Sequence, residues 1–164
     1  MAEAIRGINR ILLMRPHSLR GTETAGRMAF QTSHEKSSSR DANSTITKDG
    51  NINSLSEVVV EYSLSTIMAR GDEVRAKLEE AYLKGELVEF WDIDRTEAGA
   101  GGRFPATYYQ GYITEWSESA GAEDSVEISI STAINGAGVV GQATLSDDQA
   151  NVVQYDFSDT IVAN

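Results

Sequence analysis

The clearest pattern of hydrophobic and polar positions lies in residues 70–94. Apolar residues recur there at the spacing of one helix face, and the members of this stripe are Val74, Leu78, Ala81 and Tyr82. Asp72 precedes the stripe as an N-cap, because its carboxylate can accept from the free N–H groups of the first turn. Gly85 follows the stripe and suits the left-handed residue that ends a helix. The pattern predicts one capped amphipathic helix.

Most of the remaining chain carries strand patterns. Residues 86–94 and 106–116 are rich in β-branched and aromatic side chains, and residues 11–14 form a shorter apolar run that Pro16 stops. Strict alternation marks two half-buried strands, whose inward sets are Val58, Val60, Tyr62 and Leu64, and Val126, Ile128, Ile130, Thr132 and Ile134. At least six strands and one helix predict a mostly β fold, a two-sheet sandwich or barrel with the helix at its flank.

A polar hairpin interrupts these strands at residues 33–56. Lys48, Asp49, Gly50 and Asn51 form its turn, since Asp-Gly suits a type I′ turn. The distal arms hold few large apolar residues, so they cannot build much core. We therefore expect a projecting segment that is either a disordered loop or a docking element ordered on a partner.

The two ends of the chain have weaker patterns. We expect residues 1–10 to form a flexible N-terminal arm. Beyond Gly136 no strong period remains, which predicts a C-terminal arm, residues 137–164, that is weakly structured in the free monomer. Between the arms the pattern is continuous, and 164 residues suit a single domain, residues 1–164.

The chain contains no cysteine, which excludes a disulfide framework and a thiolate metal site. No signal-peptide pattern and no apolar run of membrane-spanning length is present. We therefore expect a soluble protein that is made in the cytoplasm and has no membrane partner.

The net charge of −11 is unevenly distributed. Residues 1–40 carry seven Lys or Arg against three Glu, whereas no Lys or Arg follows Arg103 and nine Asp or Glu do. The basic part of one copy could meet the acidic part of the next, or the acidic surface could simply maintain solubility. Composition alone favours the second reading, and the acidic balance opposes tight binding of nucleic acid.

Enzyme and metal patterns are weak throughout. The glycine-rich residues 99–102 lack the Gly-Lys-Ser/Thr ending of a phosphate-binding loop, which favours a mobile loop. Asp92, Asp94 and Glu97 lack the spacing of a calcium loop, which favours solvated strand-end carboxylates. His17 and His34 are the only imidazoles, and neither lies in a nucleophile motif. We predict no enzyme activity, no cofactor and no catalytic or metal site.

Aromatic side chains leave one binding function open. They are Trp91, Trp116, Tyr108, Tyr109 and Tyr112. Such rings can stack on sugars, although aromatic residues in strands more often belong to the core. A carbohydrate-binding β-sandwich is therefore an alternative function.

Several short stretches follow one another in a specific order and spacing. They are Phe30-Gln31-Thr32-Ser33-His34-Glu35, Thr47-Lys48-Asp49-Gly50, Ser65-Thr66-Ile67, Gly71-Asp72, Glu79-Glu80-Ala81-Tyr82, Phe90-Trp91-Asp92-Ile93-Asp94 and Val126-Glu127-Ile128-Ser129-Ile130-Ser131. Together they resemble the major tail (tail tube) protein family of long-tailed, non-contractile bacteriophages. The resemblance covers roughly residues 5–136.

This resemblance implies a fold of two β-sheets with one flanking helix, the fold of phage tail tubes and type VI secretion tubes. It implies a structural virion protein whose hexameric rings stack into the conduit for DNA ejection. Its partners would be other copies of itself and the tail tip or baseplate, tape measure and tail terminator proteins, while genomic DNA passes without specific binding. The hairpin turn, Lys48, Asp49, Gly50 and Asn51, would dock one ring on the next. The tube of a contractile tail or a type VI-like secretion system is a further alternative.

Overall fold

The computed structural model describes residues 2–96, 98–150 and 160. In chain order its strands and helices are β1 (Arg10–Pro16), β2 (Gln31–Ser39), β3 (Ala42–Thr47), β4 (Gly50–Leu55), β5 (Val59–Ile67), α1 (Glu73–Lys84), β6 (Val88–Asp94), β7 (Phe104–Ser119), β8 (Glu127–Ala143) and α2 (Asp147–Ala150). Short 3₁₀ turns occur at Gly7–Asn9, His17–Leu19 and Ala100–Gly102. No helix in the described ranges is long and apolar enough to cross a membrane.

Six strands form one antiparallel sheet in the order β1-β6-β7-β8-β5-β2, and β3 and β4 form a separate hairpin. The long strands β7 and β8 belong to two layers. Residues 106–111 of β7 pair with β6, whereas residues 127–134 of β8 lie beside β5. Two register shifts in the β7–β8 ladder, at Tyr108/Gln110 and Ile113/Glu115, accompany the change of layer.

The two layers pack face to face around one main core. Side chains of β1 and β6, such as Leu12 and Phe90, share this cluster with Tyr62 of β5 and Ile130 of β8. The edge strands β1 and β2 have no ladder with each other in the described part of the chain, so the sheet is not closed. The predicted mostly β sandwich with one flanking helix is confirmed.

Helix α1 begins and ends as predicted. The Asp72 carboxylate accepts from the N–H of Arg75 at 3.2 Å, and Gly85 ends the helix with φ of 69°. Leu78 and Ala81 are buried against the sheet core. The helix therefore covers one side of the sandwich with its apolar stripe.

Gly111 lies where β7 passes from one layer to the other. It pairs with Val88 of β6 and Ile134 of β8, and a Cβ placed on it would lie 2.3 Å from the Ala133 carbonyl oxygen. Only glycine permits this close backbone approach at a strand corner.

We expect Gly111→Ala to lower the free energy of unfolding by about 2 kcal/mol, because backbone has to move to admit the methyl group. Chemical denaturation monitored by circular dichroism measures the change. Gly141→Ala in β8 is the matched control, since nothing lies within 4 Å of its added Cβ, and it should change stability by less than about 0.5 kcal/mol. Equal effects of the two substitutions would show that the corner is not tightly packed.

The structure corrects the predicted hairpin in two respects. The residues before Arg40 are not part of the projection, because β2 pairs with β5 at the edge of the main sheet. Seven of the nine residues of this edge strand are exposed, so the sequence shows no apolar alternation there. The turn is also not type I′, since neither Lys48 nor Asp49 has a positive φ and Gly50, at 125°, already begins β4.

The predicted C-terminal arm starts too early. Strand β8 continues through Ala143 and pairs with the first half of β7. Residues 137–142 are exposed and hold their place by backbone hydrogen bonds, which leave no periodic signal in the sequence. Residues 151–159 and 161–164 of that arm lie outside the described residues.

Candidate functional site

The β3–β4 hairpin is the most exposed element of the fold. Its ladder runs from Ala42↔Leu55 to Thr47↔Gly50, and all twelve strand residues are exposed. The Thr47 hydroxyl donates to the Gly50 carbonyl at 2.7 Å and tightens the turn. The hairpin thus has its own backbone pairing and contributes nothing to the main core.

Large apolar side chains on this hairpin lie in solvent. Ile46 is 88% exposed, Leu55 is 64% exposed and Ile52 is 60% exposed. Paired residues share a face and successive residues alternate, so Ile46 and Leu55 lie on one face and Ile52 on the other. Apolar side chains on both faces of a projecting hairpin are typical of a surface that a partner covers.

The four residues predicted to dock one ring on the next lie together at the tip of this hairpin. Lys48 and Asp49 form the turn, Gly50 and Asn51 begin β4, and all four are exposed. One charge of each sign is therefore presented at the tip. Their role in docking stays a prediction.

A buried carboxylate connects the two layers of the sandwich at the open side of the sheet. The Arg10 guanidinium donates to Asp92 at 2.6 and 2.9 Å, and the Tyr62 hydroxyl donates to it at 2.7 Å. His34 Nε2 of β2 lies 3.5 Å from Asp92 Oδ1. One carboxylate thereby contacts β1, β5 and β2.

The prediction of a solvated strand-end carboxylate is wrong for Asp92, because this residue is only 6% exposed. Asp94 is half-buried and accepts from the N–H of Thr96, while Glu97 lies outside the described residues. Among the described residues no cluster of His, Asp and Glu could hold a metal ion. An aspartate between two apolar neighbours, Trp91 and Ile93, was the one sequence signal for the buried carboxylate.

The surroundings of Asp92 fix its charge state. Burial by itself raises the pKa of Asp92, but the interactions with His34, Arg10 and Tyr62 outweigh it and hold the pKa below the usual range for aspartate. Burial and the hydrogen bond to Asp92 raise the pKa of Tyr62 well above that of a free tyrosine. The cluster therefore contains an ionised carboxylate and a neutral phenol at neutral pH, which is a structural rather than a catalytic arrangement.

The aromatic side chains that could have formed a sugar platform are dispersed. The rings of Trp91 and Tyr108 pack with their centroids 5.2 Å apart, and the Arg15 guanidinium lies over the Trp91 ring. Tyr109 is buried in the main core. Trp116 stacks on Tyr82 of the helix at 6.2 Å. Tyr112 is the one of the five that is exposed. The described fold therefore provides no shared platform for carbohydrate stacking.

Comparison with known families decides the classification. A family model described as phage tail tube protein matches residues 4–140. The chain belongs to the phage tail tube protein family. It is therefore a structural component of a virion tail rather than an enzyme, and the resemblance to siphophage tail tube proteins is confirmed.

Two curated relatives are similar to this tail tube protein over much of its length. The tail tube protein of Bacillus phage SPP1 is 32% identical over 132 residues, which cover 79% of this chain and 50% of that protein. A putative tail protein of Staphylococcus phage phiMR25 is 28% identical over 170 residues, which cover all of this chain and 87% of that protein. The chain thus spans about half the length of the SPP1 relative.

Solved structures show the same fold. The SPP1 tail tube matches with a TM-score of 0.75 at 23% identity and covers 94% of this chain and 91% of that one. The tail of an empty gene transfer agent particle, refined with C6 symmetry, matches with a TM-score of 0.63 at 14% identity and covers 86% of this chain and all of that one. The baseplate of the anti-feeding prophage matches with a TM-score of 0.59 at 6% identity and covers 88% of this chain and all of that one. These matches establish a shared architecture.

Proposed function

We propose that this tail tube protein forms hexameric rings, that the rings stack into the tail tube, and that DNA passes through the tube into the host. The observation that carries the proposal is the β3–β4 hairpin, which keeps its own pairing while exposing Ile46, Ile52 and Leu55. This hairpin is folded, exposes apolar side chains on both faces and does not pack on the core of its own domain. Such a surface needs a partner to cover it.

Ring stacking supplies such a surface. In a tube each ring meets the next head to tail, so the hairpin of one copy contacts a different surface of a copy in the neighbouring ring. The C6 symmetry of the gene transfer agent tail, which shares this fold, supports six copies in a ring. The opposite charges of Lys48 and Asp49 would set the register of docking at the hairpin tip.

The charge of the protein suits a DNA conduit. A net charge of −11 repels phosphate groups, so DNA would pass the tube without specific binding. The ends of such a tube need other components, and we assign to them the tail tip or baseplate, tape measure and tail terminator proteins as partners. No cofactor takes part in this proposal.

Replacing residues 42–55 by a short Gly-Ser turn tests the hairpin directly. The melting temperature should be nearly unchanged, because all residues of β3 and β4 are exposed and no buried side chain is removed. Long tubes should be lost from negative-stain electron micrographs, while isolated rings survive through contacts made elsewhere.

A single substitution sharpens this test. Ile46→Asp should shorten or abolish tubes, and Leu83→Asp is the matched control because Leu83 of α1 is 75% exposed outside the hairpin. Normal tubes from the hairpin replacement, or a collapse of its melting temperature, would each contradict the role assigned to the hairpin.

A further inference from the structure

A groove of about 1000 Å³ runs between the two edge strands of the open sheet. Its walls include the start of β1 and the first half of β2, and four of the chain's 14 Lys and Arg residues line it: Arg10, Arg27, Lys36 and Arg95. Glu35 is the one carboxylate among the lining residues. The groove is therefore strongly basic in a protein whose net charge is −11.

Two of the four cations in this groove, Arg27 and Lys36, have no ion-pair partner in the described part of the chain. Asp92 pairs with Arg10, but Arg27 makes no ion pair or hydrogen bond to any described residue. Burial lowers the pKa of the Arg95 guanidinium, and the nearby charge of Arg27 lowers it further. Lys36 contacts the face of the Tyr109 ring at 5.5 Å and no described carboxylate. Neighbouring like charges of this kind are stabilised when an anionic partner enters.

The opposite charge lies at the far end of the β7–β8 hairpin. We call residues 115–127 the acidic tip, because Glu115, Glu118, Glu123, Asp124 and Glu127 are all exposed there. No Lys or Arg occurs after Arg103, and none of the five carboxylates forms a salt bridge with a described residue. The acidic tip and the basic groove thus share no residue and are complementary in charge.

We propose that the acidic tip of one copy of this protein docks into the basic groove of a neighbouring copy, a contact that rests on the proposed assembly into a tube. Its volume of about 1000 Å³ is far more than a single ion fills and leaves room for a segment of a neighbouring chain. The wall formed by β2 is an edge strand with one strand neighbour in the described sheet, and such edges accept additional chain. The outer edge of β1 is partly occupied, because Met14 exchanges backbone hydrogen bonds with Gly26. The contact is head to tail, so repeating it closes a ring or extends a filament.

Charge reversal tests the two surfaces separately. Arg27→Glu with Lys36→Glu, and Glu123→Lys with Asp124→Lys, should each lower the assembled fraction in sedimentation by at least about tenfold at low salt, because like charges then face each other. Arg10 and Arg95 are left unchanged, since both make hydrogen bonds within the fold. A thermal melt of each variant verifies that the monomer is folded.

The decisive experiment combines all four charge reversals in one chain. A basic tip then meets an acidic groove in the next copy, and the assembled fraction should return to within about threefold of the wild type. Arg70→Glu with Lys84→Glu is the control for net charge, because both residues are exposed outside the groove. Assembly of the wild type should weaken as salt rises, since exposed charges are screened.

Three results would overturn the contact. The groove variant could assemble like the wild type, the four reversals could fail to rescue the two pairs, or the groove variant could fail while the tip variant assembles. The last result would assign the groove to another occupant, either a different segment of the chain or DNA. If charge reversal unfolds the monomer, Arg27→Gln with Lys36→Gln replaces it, with an expected loss of about threefold.

The outcomes also separate this contact from the tube itself. If the wild type forms tubes of stacked rings but the four combined reversals do not restore assembly, the contact between tip and groove is rejected and the proposed tube is retained. Wild-type assemblies that are not tubes, together with successful rescue, would reject the tube and retain the contact.

Discussion

Leu78→Asp is expected to lower the free energy of unfolding by about 4 kcal/mol, a large part of the roughly 5–15 kcal/mol that stabilises a typical domain. Leu78 is fully buried in the middle of α1 and packs in the main core of the sandwich. A carboxylate at this position would be buried without a partner. Val74→Asp on the same stripe should cost less, because Val74 is only half-buried. A thermal melt followed by circular dichroism measures both.

The same helix provides the control. Leu83 is 75% exposed, so Leu83→Asp makes the identical chemical change in solvent and should shift stability by less than about 0.5 kcal/mol. A melt of Leu78→Asp that coincides with that of the wild type would show that the helix stripe is not part of the core.

Asp92→Asn is expected to lower the free energy of unfolding by about 2 kcal/mol at neutral pH, since the carboxylate is buried but the Arg10 side chain is half-exposed. The substitution leaves Arg10 without its carboxylate and removes the charged acceptor of the Tyr62 hydroxyl. Tyr62 is buried between the two layers and Arg10 lies half-exposed at their open side, so the loss of both contacts weakens this side of the sheet. Urea denaturation gives the difference, and Asp94→Asn on the same strand is the control, since Asp94 accepts only from Thr96 among the hydrogen bonds described.

The effect of Asp92→Asn should depend on pH in a definite direction. The folded-state pKa of Asp92 is lower than that of an unfolded aspartate, so the folded state binds its proton less readily. The stabilisation is therefore fully present above about pH 4, the range of an unfolded aspartate, and is lost as the pH falls toward the folded pKa. The difference in stability between wild type and variant should shrink steadily as the pH falls below about 4, and it should be clearly smaller at pH 2 than at pH 7. A difference that is equally large at pH 7 and pH 2 would show that packing rather than charge is responsible.

The groove and the Asp92 cluster occupy the same open side of the sheet. Arg10 lines the groove and donates two hydrogen bonds to Asp92, while His34 approaches Asp92 from β2. Polar contacts thus connect β1 and β2 where no ladder does. These contacts fix β1 and β2 relative to each other, so a partner segment would enter a groove whose two walls are already in place.

Local rules in the sequence were sufficient for several elements. Asp72 and Gly85 bounded the helix, and alternation identified the buried faces of β5 and β8, because capping and period-two burial act within a few residues. The exposed hairpin was also predictable, since Asp49 and Gly50 stand between arms without core residues. The order and spacing of several short stretches indicated the protein family.

Other features depended on contacts between distant parts of the chain. Strand β2 and the last part of β8 are exposed on most positions and owe their extended form to backbone pairing with β5 and β7, which no side-chain period records. Asp92 is buried because Arg10, 82 positions away, meets it across paired strands. The basic groove likewise exists only because β1 and β2 face each other at the open side of the folded sheet. Sequence determined what local hydrogen bonding and amphipathicity can specify, and the tertiary structure decided which charges became buried and which edges met.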